Sequence, residues 1–293
     1  MDRRQFLKLL GLTPLFSNLL LREALAADKS LVAIAEDRDY SQATIKALNA
    51  IGGMRRFVKP GNVVVVKPNI GWDRSPAQAA NTHPLVVRAV VSEALRAGAR
   101  KVKVFDRPCN DPRRCYVNSG IEAALRGMKG VDLKHIEEER FKPVRLNGRT
   151  LRDWELYDEA LSADVFINVP VAKHHGLTGL TLGLKNIMGV MGGNRGSVHR
   201  HIDSALADIN AVLKSHLTVV DATRILTAHG PQGGDPRDVK VLNKVIASSD
   251  IVAADAVATT LFGLKPEAIS TTVAAYRRGL GEMKMAGIRI LRV

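Results

Sequence analysis

The sequence has 293 residues, with 43 Lys and Arg against 29 Asp and Glu and a formal net charge of +14. A hydrophobic content of 46% excludes a disordered chain, and scattered basic residues with only 4% aromatics offer nucleic acid no stacking platform. Cys109 and Cys115 are the whole cysteine complement, which excludes a resident iron–sulfur cluster held by four thiolates; the charge points to an anionic substrate, a cofactor phosphate or an anionic membrane surface.

The chain opens on Arg3-Arg4-Gln5-Phe6-Leu7-Lys8 and an uncharged, leucine-rich stretch from Leu9 to Leu21. That is the pattern of a twin-arginine leader, too short and too polar at Thr13, Pro14, Ser17 and Asn18 to serve as a stable transmembrane anchor. Ala24 and Ala26 bracket Leu25 in an A-x-A pattern, so cleavage is expected after Ala26, with residues 1–26 as signal peptide and 31–293 as one domain. The expected partner during export is the twin-arginine translocase, and the expected location is the periplasm. In that oxidising compartment Cys109 and Cys115, in a turn-rich loop with Pro108 and Pro112, read as a disulfide, with a metal site as the competing reading.

Beyond the leader, β-branched runs at residues 31–35, 63–66, 101–105, 165–169, 217–220 and 244–247 read as strands. They are almost continuously apolar, as strands buried on both faces must be. Helical spacing occurs at residues 41–51, 84–97, 119–126, 203–214 and 251–262. The alternation predicts an α/β fold with a mainly parallel sheet and helices on both faces. The more polar stretch from Val131 to Trp154 reads as a small inserted hairpin or surface excursion, and Ile288 to Val293 as a closing edge strand.

Polar clusters stand at the ends of these runs, where open α/β sheets hold their ligands. Lys67-Pro68-Asn69 ends the valine-rich strand, and Thr82-His83-Pro84 opens a helix. The densest cluster runs from Lys173-His174-His175 through Gly176, Thr178, Gly179 and Gly183 to Lys185-Asn186, and His199-Arg200-His201 follows a glycine-rich turn. Glycines let backbone approach a ligand, lysine supplies a cation or a nucleophilic amine, and histidine carries protons or ligates metal. The expected catalytic residues are His175, Lys185 and His83. Lys67, Asn69, Lys173, Gly183, Lys185 and Asn186 are the expected cofactor-binding set, and His174, His199 and His201 the metal ligands.

Val66-Lys67-Pro68-Asn69, Thr82-His83-Pro84, Asn168-Val169-Pro170-Val171-Ala172-Lys173-His174 and Gly183-Leu184-Lys185-Asn186-Ile187-Met188-Gly189 resemble, in order, the motifs of the family called domain of unknown function 362. Some members carry a cysteine-rich ferredoxin-like module, which this chain lacks. The stretch from His175 to His201 also resembles lactate-racemase-type nickel-pincer proteins. That resemblance implies Lys185 as tether of an organic nickel-type cofactor, His201 as nickel ligand and His175 as proton-transfer group.

Two functional expectations follow. One is an exported enzyme, of redox or isomerase type, using a metal ion or organic cofactor in a His/Lys site. The other is a non-catalytic periplasmic accessory protein in which Lys67, Lys173, Lys185 and Arg195 hold an anionic small molecule or cofactor.

Overall fold

A computed structural model describes residues 29–293, so the leader lies outside the described residues. The chain enters through β1 (Ser30–Glu36) and α1 (Tyr40–Ala50), then alternates β2 (Val63–Pro68), α2 (Pro84–Arg96) and β3 (Lys101–Val104). Short helices α3 (Pro112–Asn118) and α4 (Ile121–Leu125) lead to β4 (Val131–Leu133). Next come β5 (Phe141–Arg145), β6 (Asp153–Tyr157), the single turn α5 (Asp158–Leu161), β7 (Val165–Val169), β8 (Val171–His175), β9 (Gly179–Thr181) and α6 (Gly183–Asn186). The remainder is α7 (Ile202–Val212), β10 (Leu217–Leu226), β11 (Val239–Ser248), α8 (Ile251–Thr260), α9 (Ser270–Arg277) and β12 (Ile288–Arg292).

The main sheet runs in the order β12-β1-β11-β10-β7-β2-β3-β4, with β8 paired to β10 and β9 beside it. Most neighbours are parallel: β2 with β3 and β7, β3 with β4, β10 with β7 and β8, and β1 with β12. Alternation along each strand explains the unbroken apolar runs. Val64 and Val66 of β2 pack into a core with α1 and α2, whereas Val65 joins Phe105, Phe166 and Ile209 beneath α7. Val245 and Ala247 of β11 likewise face the first core while Ile246 meets α8. Each valine buried this way contributes roughly 1.5–3 kcal/mol.

Helix starts are fixed by side-chain caps: Asp39 accepts the Ser41 and Gln42 N–H groups at α1, and Asp250 those of Val252 and Ala253 at α8. The inserted hairpin is β5 paired antiparallel with β6 as a separate two-stranded sheet. The closing segment forms β12, parallel to β1 at the sheet edge.

Two features differ from the expected elements. The runs at 217–220 and 244–247 belong to one long antiparallel hairpin, β10 and β11, the antiparallel part of a sheet that is otherwise mainly parallel as expected. Residues 171–181, over which the sequence predicts no strand, form the antiparallel pair β8 and β9. Pro170 separates β7 from β8: it has no N–H for the ladder, and its carbonyl accepts the Asp221 N–H at 2.8 Å. The chain therefore leaves the parallel register and turns its next residues over the strand ends.

Candidate functional site

A cavity of about 260 Å³ opens at the C-terminal ends of the parallel strands. Lys67 reaches it from the end of β2, Asp106 from just past β3, Lys173 and His175 from β8, Lys185 and Asn186 from α6, and Arg195 and His199 from the turn before α7. Trp72, Met188 and Pro231 supply apolar wall.

Its floor is a saturated polar network. The Lys67 ammonium is fully buried and donates to Asp106 Oδ1 at 2.8 Å, the Pro68 carbonyl at 2.8 Å and Asn186 Oδ1 at 3.0 Å. Asp106 also accepts the N–H groups of Ile70 and Arg107. Asn186 Oδ1 takes a second hydrogen bond from Asn69, and its Nδ2 donates to Asn168 Oδ1 and the Lys67 carbonyl. A Cβ built on Gly189 would overlap both Asp106 Oδ1 and the Lys67 ammonium, so only glycine fits there. Burial lowers the Lys67 pKa and the adjoining Asp106 carboxylate opposes that shift.

Above this floor the charge is positive, and Lys173, Lys185 and Arg195 meet no carboxylate among the described residues. Lys173 donates to the Ala80 carbonyl at 2.5 Å and Asn69 Oδ1 at 3.2 Å, with Trp72 under it at 5.8 Å, and touches no carboxylate. Burial first, then the neighbouring Lys185 charge, depress its pKa to about 7. Lys185 Nζ has the Met188 sulfur at 3.5 Å as its hydrogen-bond partner. Burial brings it down to about 8, opposed by Cys109 and assisted by Arg195. Arg195 is bonded to the carbonyls of Arg107, Pro108 and Met188 and to Cys109 Sγ, again without a carboxylate. Asp106 is the one acidic residue in the lining, and it is committed to Lys67.

The two imidazoles of the cavity hold opposite tautomers. His175 Nδ1 accepts the backbone N–H groups of Leu177 and Thr178, so in the neutral ring the proton sits on Nε2. Burial and the Lys185 charge depress its pKa to about 3, so it stays neutral and offers the cavity a donor. His199 Nδ1 lies 3.0 Å from the Gly196 carbonyl, which requires a proton on Nδ1 and leaves Nε2 as an acceptor. The rings stack at 6.0 Å, and burial together with Lys185 lowers the His199 pKa. His199 is the proton acceptor of the pair.

Of the expected site residues, Lys67, Asn69, Lys173, His175, Lys185, Asn186 and His199 line this one cavity. Four do not. His83 caps α2 through Nδ1 and packs edge-on against Tyr40, with its N–H on Asp221, so it is a structural histidine on another flank. His174 follows the two-residue period of β8 and points opposite to His175, where its Nδ1 accepts the Gly230 N–H. His201 is an exposed residue at the start of α7. Gly183 gives its N–H to buried Asp255 and packs too closely there for a side chain.

The expected metal trio of His174, His199 and His201 is therefore not gathered, and among the described residues no group of three His, Cys, Asp or Glu is disposed to hold a metal ion. The expected disulfide is absent as well: Cys109 is an exposed thiol on the cavity wall, whereas Cys115 is buried within α3. Asp106, Trp72 and Arg107 escaped the sequence reading. Asp106 and Arg107 carry the signal used elsewhere, polar residues just past a parallel strand; Trp72 carries none.

Fold and site define an α/β protein with a cationic cavity over the strand ends. The family model described as "Domain of unknown function (DUF362)" matches residues 64–260, and the chain belongs to that family. A thylakoid-associated protein of Synechocystis sp. is 29% identical over 262 residues, spanning 85% of this chain and 79% of that one. The lactate racemase apoprotein of Thermoanaerobacterium thermosaccharolyticum superposes with a TM-score of 0.47 at 11% identity over 75% of this chain. The overlap spans about half, 54%, of that protein. Of the nickel-pincer set named by the sequence resemblance, Lys185 and His175 share the cavity but His201 lies outside it, so the set does not fit such a centre. Among the described residues no helix is long and apolar enough to cross a membrane.

Proposed function

We propose that this chain is an exported periplasmic enzyme that binds a small organic anion in the cavity and acts on it with the Lys185 amine and the His175 and His199 imidazoles. One observation carries the reading: Lys173, Lys185 and Arg195 converge on a space whose sole carboxylate is already paired with Lys67. Like charges gathered in a desolvated space repel one another, and an incoming anion relieves that cost. His175 then donates from Nε2 to an oxygen of the ligand, while His199 accepts a proton through its own Nε2. The twin-arginine leader supports export after folding. The cyanobacterial relative is thylakoid-associated, in keeping with work beside a membrane, which the net positive charge of this chain would favour.

The test is calorimetric titration with malonate and with sulfate near pH 6.5, followed by proton NMR of small carboxylic acids incubated with the protein in deuterated water. Saturable one-to-one binding that disappears in Lys173→Met and Arg195→Met, together with exchange or conversion of at least one acid, is expected. Failure of every anion to bind refutes the reading; binding with no exchange or conversion refutes its enzymatic half and leaves an accessory protein.

A further inference from the structure

Three buried or half-buried lysines share this cavity, and the fold treats them differently. Lys67 has three oxygen acceptors and Lys173 two, which is what burial of an ammonium demands. Among the described residues Lys185 has a thioether and no oxygen. A lysine kept only for its charge gains nothing from losing its acceptors. A lysine that must present a lone pair to carbon requires that its amine be unbound and easily deprotonated, and desolvation beside another cation achieves this.

We infer that Lys185 forms a Schiff base with a small 2-oxo acid held in this cavity. The inference rests on the anion-binding reading above and names its substrate class. Arg195 and Lys173 take the carboxylate, and His175 Nε2–H donates to the adjacent carbonyl oxygen. A volume of about 260 Å³ falls below the ~300–1,000 Å³ typical of pockets for drug-sized ligands and suits an acid of few carbons. Burial has already brought the Lys185 amine to a pKa of about 8, so a usable fraction is neutral at pH 7.

The step balances without any redox partner. The neutral amine attacks the carbonyl carbon, the new C–N bond forms, and the C=O π pair moves to oxygen. His199 Nε2 takes one proton from nitrogen and hands it to the alkoxide, giving the carbinolamine, while His175 Nε2–H holds the oxygen by a hydrogen bond. His199 then takes the second N–H proton and passes it to the hydroxyl as the C–O bond breaks, so water leaves and the neutral imine remains. The net change is amine plus ketone to imine plus water.

The experiment is borohydride trapping of the full-length mature protein with pyruvate and with 2-oxobutanoate, read by intact mass and peptide mapping, with malonate titration run in parallel. The expected result is one adduct per chain, heavier by the mass of the acid less one oxygen, located on Lys185. Lys185→Arg keeps a cation but has no amine that can attack carbon, and is expected to lose the adduct. Malonate binding with no adduct, or an adduct mapped to Lys173, overturns the Schiff base and leaves the anion-binding reading standing. Loss of malonate binding to the wild-type protein overturns both. Should Lys185→Arg fail to fold, wild-type mapping still decides.

Discussion

Anion binding to this cavity is expected to be coupled to proton uptake, and the coupling is large enough to measure. In the ligand-free protein Lys173 loses its proton near pH 7 and Lys185 near pH 8, because both amines are desolvated without a counter-ion. An anion seated between them restores the charged forms. If only the doubly protonated cavity binds, raising the pH from 6 to 9 leaves Lys185 about one-tenth protonated and Lys173 about one-hundredth. Affinity then falls by about three orders of magnitude, or ~4 kcal/mol. His175, held near pH 3, stays neutral throughout. Sulfate is the appropriate probe because its own charge is constant over this range. Titrations at pH 8 in two buffers of different ionisation enthalpy are expected to show uptake of about 1.4 protons per sulfate bound, about 0.9 on Lys173 and about 0.5 on Lys185. Affinity that is flat from pH 6 to 9, with no proton uptake, would refute the assignment of these two amines as the anion's partners.

Three further outcomes follow from the same geometry. Gly189→Ala forces a methyl group into the Lys67–Asp106 pair; breaking a buried pair costs about 3–5 kcal/mol, so chemical denaturation is expected to show a loss of that order, and an unchanged midpoint would contradict the packing. Lys185→Met removes a buried amine whose protonation opposes folding. Since the folded pKa of about 8 lies below the unfolded value near 10.5, the wild-type penalty is fully present below pH 8 and fades as the pH approaches 10.5. Thermal scans at pH 6 should therefore find the variant more stable by up to ~3 kcal/mol, with the gain vanishing above about pH 10. Replacing Arg3 and Arg4 together by Lys is expected to strand the precursor in the cytoplasm, with cell fractionation and blotting as the measurement; undiminished periplasmic protein would remove the export reading.

The fold was legible because its strands are buried on both faces. Val63 to Val66 and Val165 to Val169 have no polar residue to mark a solvent side until Asn168, and that run leaves few architectures open. What stayed hidden is orientation within the sheet. Residues 217–220 and 244–247 look alike in composition, yet one runs parallel to β7 and the other returns antiparallel. Strand direction is set by the connection, and the Thr227 to Asp238 loop gives no helical period from which a crossover would be inferred.

The histidines show the same limit at the scale of a site. Lys173-His174-His175 reads as one cluster along the chain, but Pro170 launches a strand there, and a strand divides neighbours between two faces. Lys173 and His175, two apart, enter the cavity; His174 goes to Gly230. With no strand predicted there, the one rule that sorts its residues stayed out of reach. The same rule turns a crowded run of candidates into distinct roles: a tethered cation at 173, a fixed hydrogen-bond donor at 175, and across the cavity the acceptor His199. Lysine at 185 follows a different logic, since what marks it is the absence of an oxygen partner among the described residues, while its neighbour Asn186 turns its own amide to Lys67 and Asn168. Adjacent in sequence, these two residues divide floor from chemistry: Asn186 holds the charges that must not move, and Lys185 is left the amine that can react.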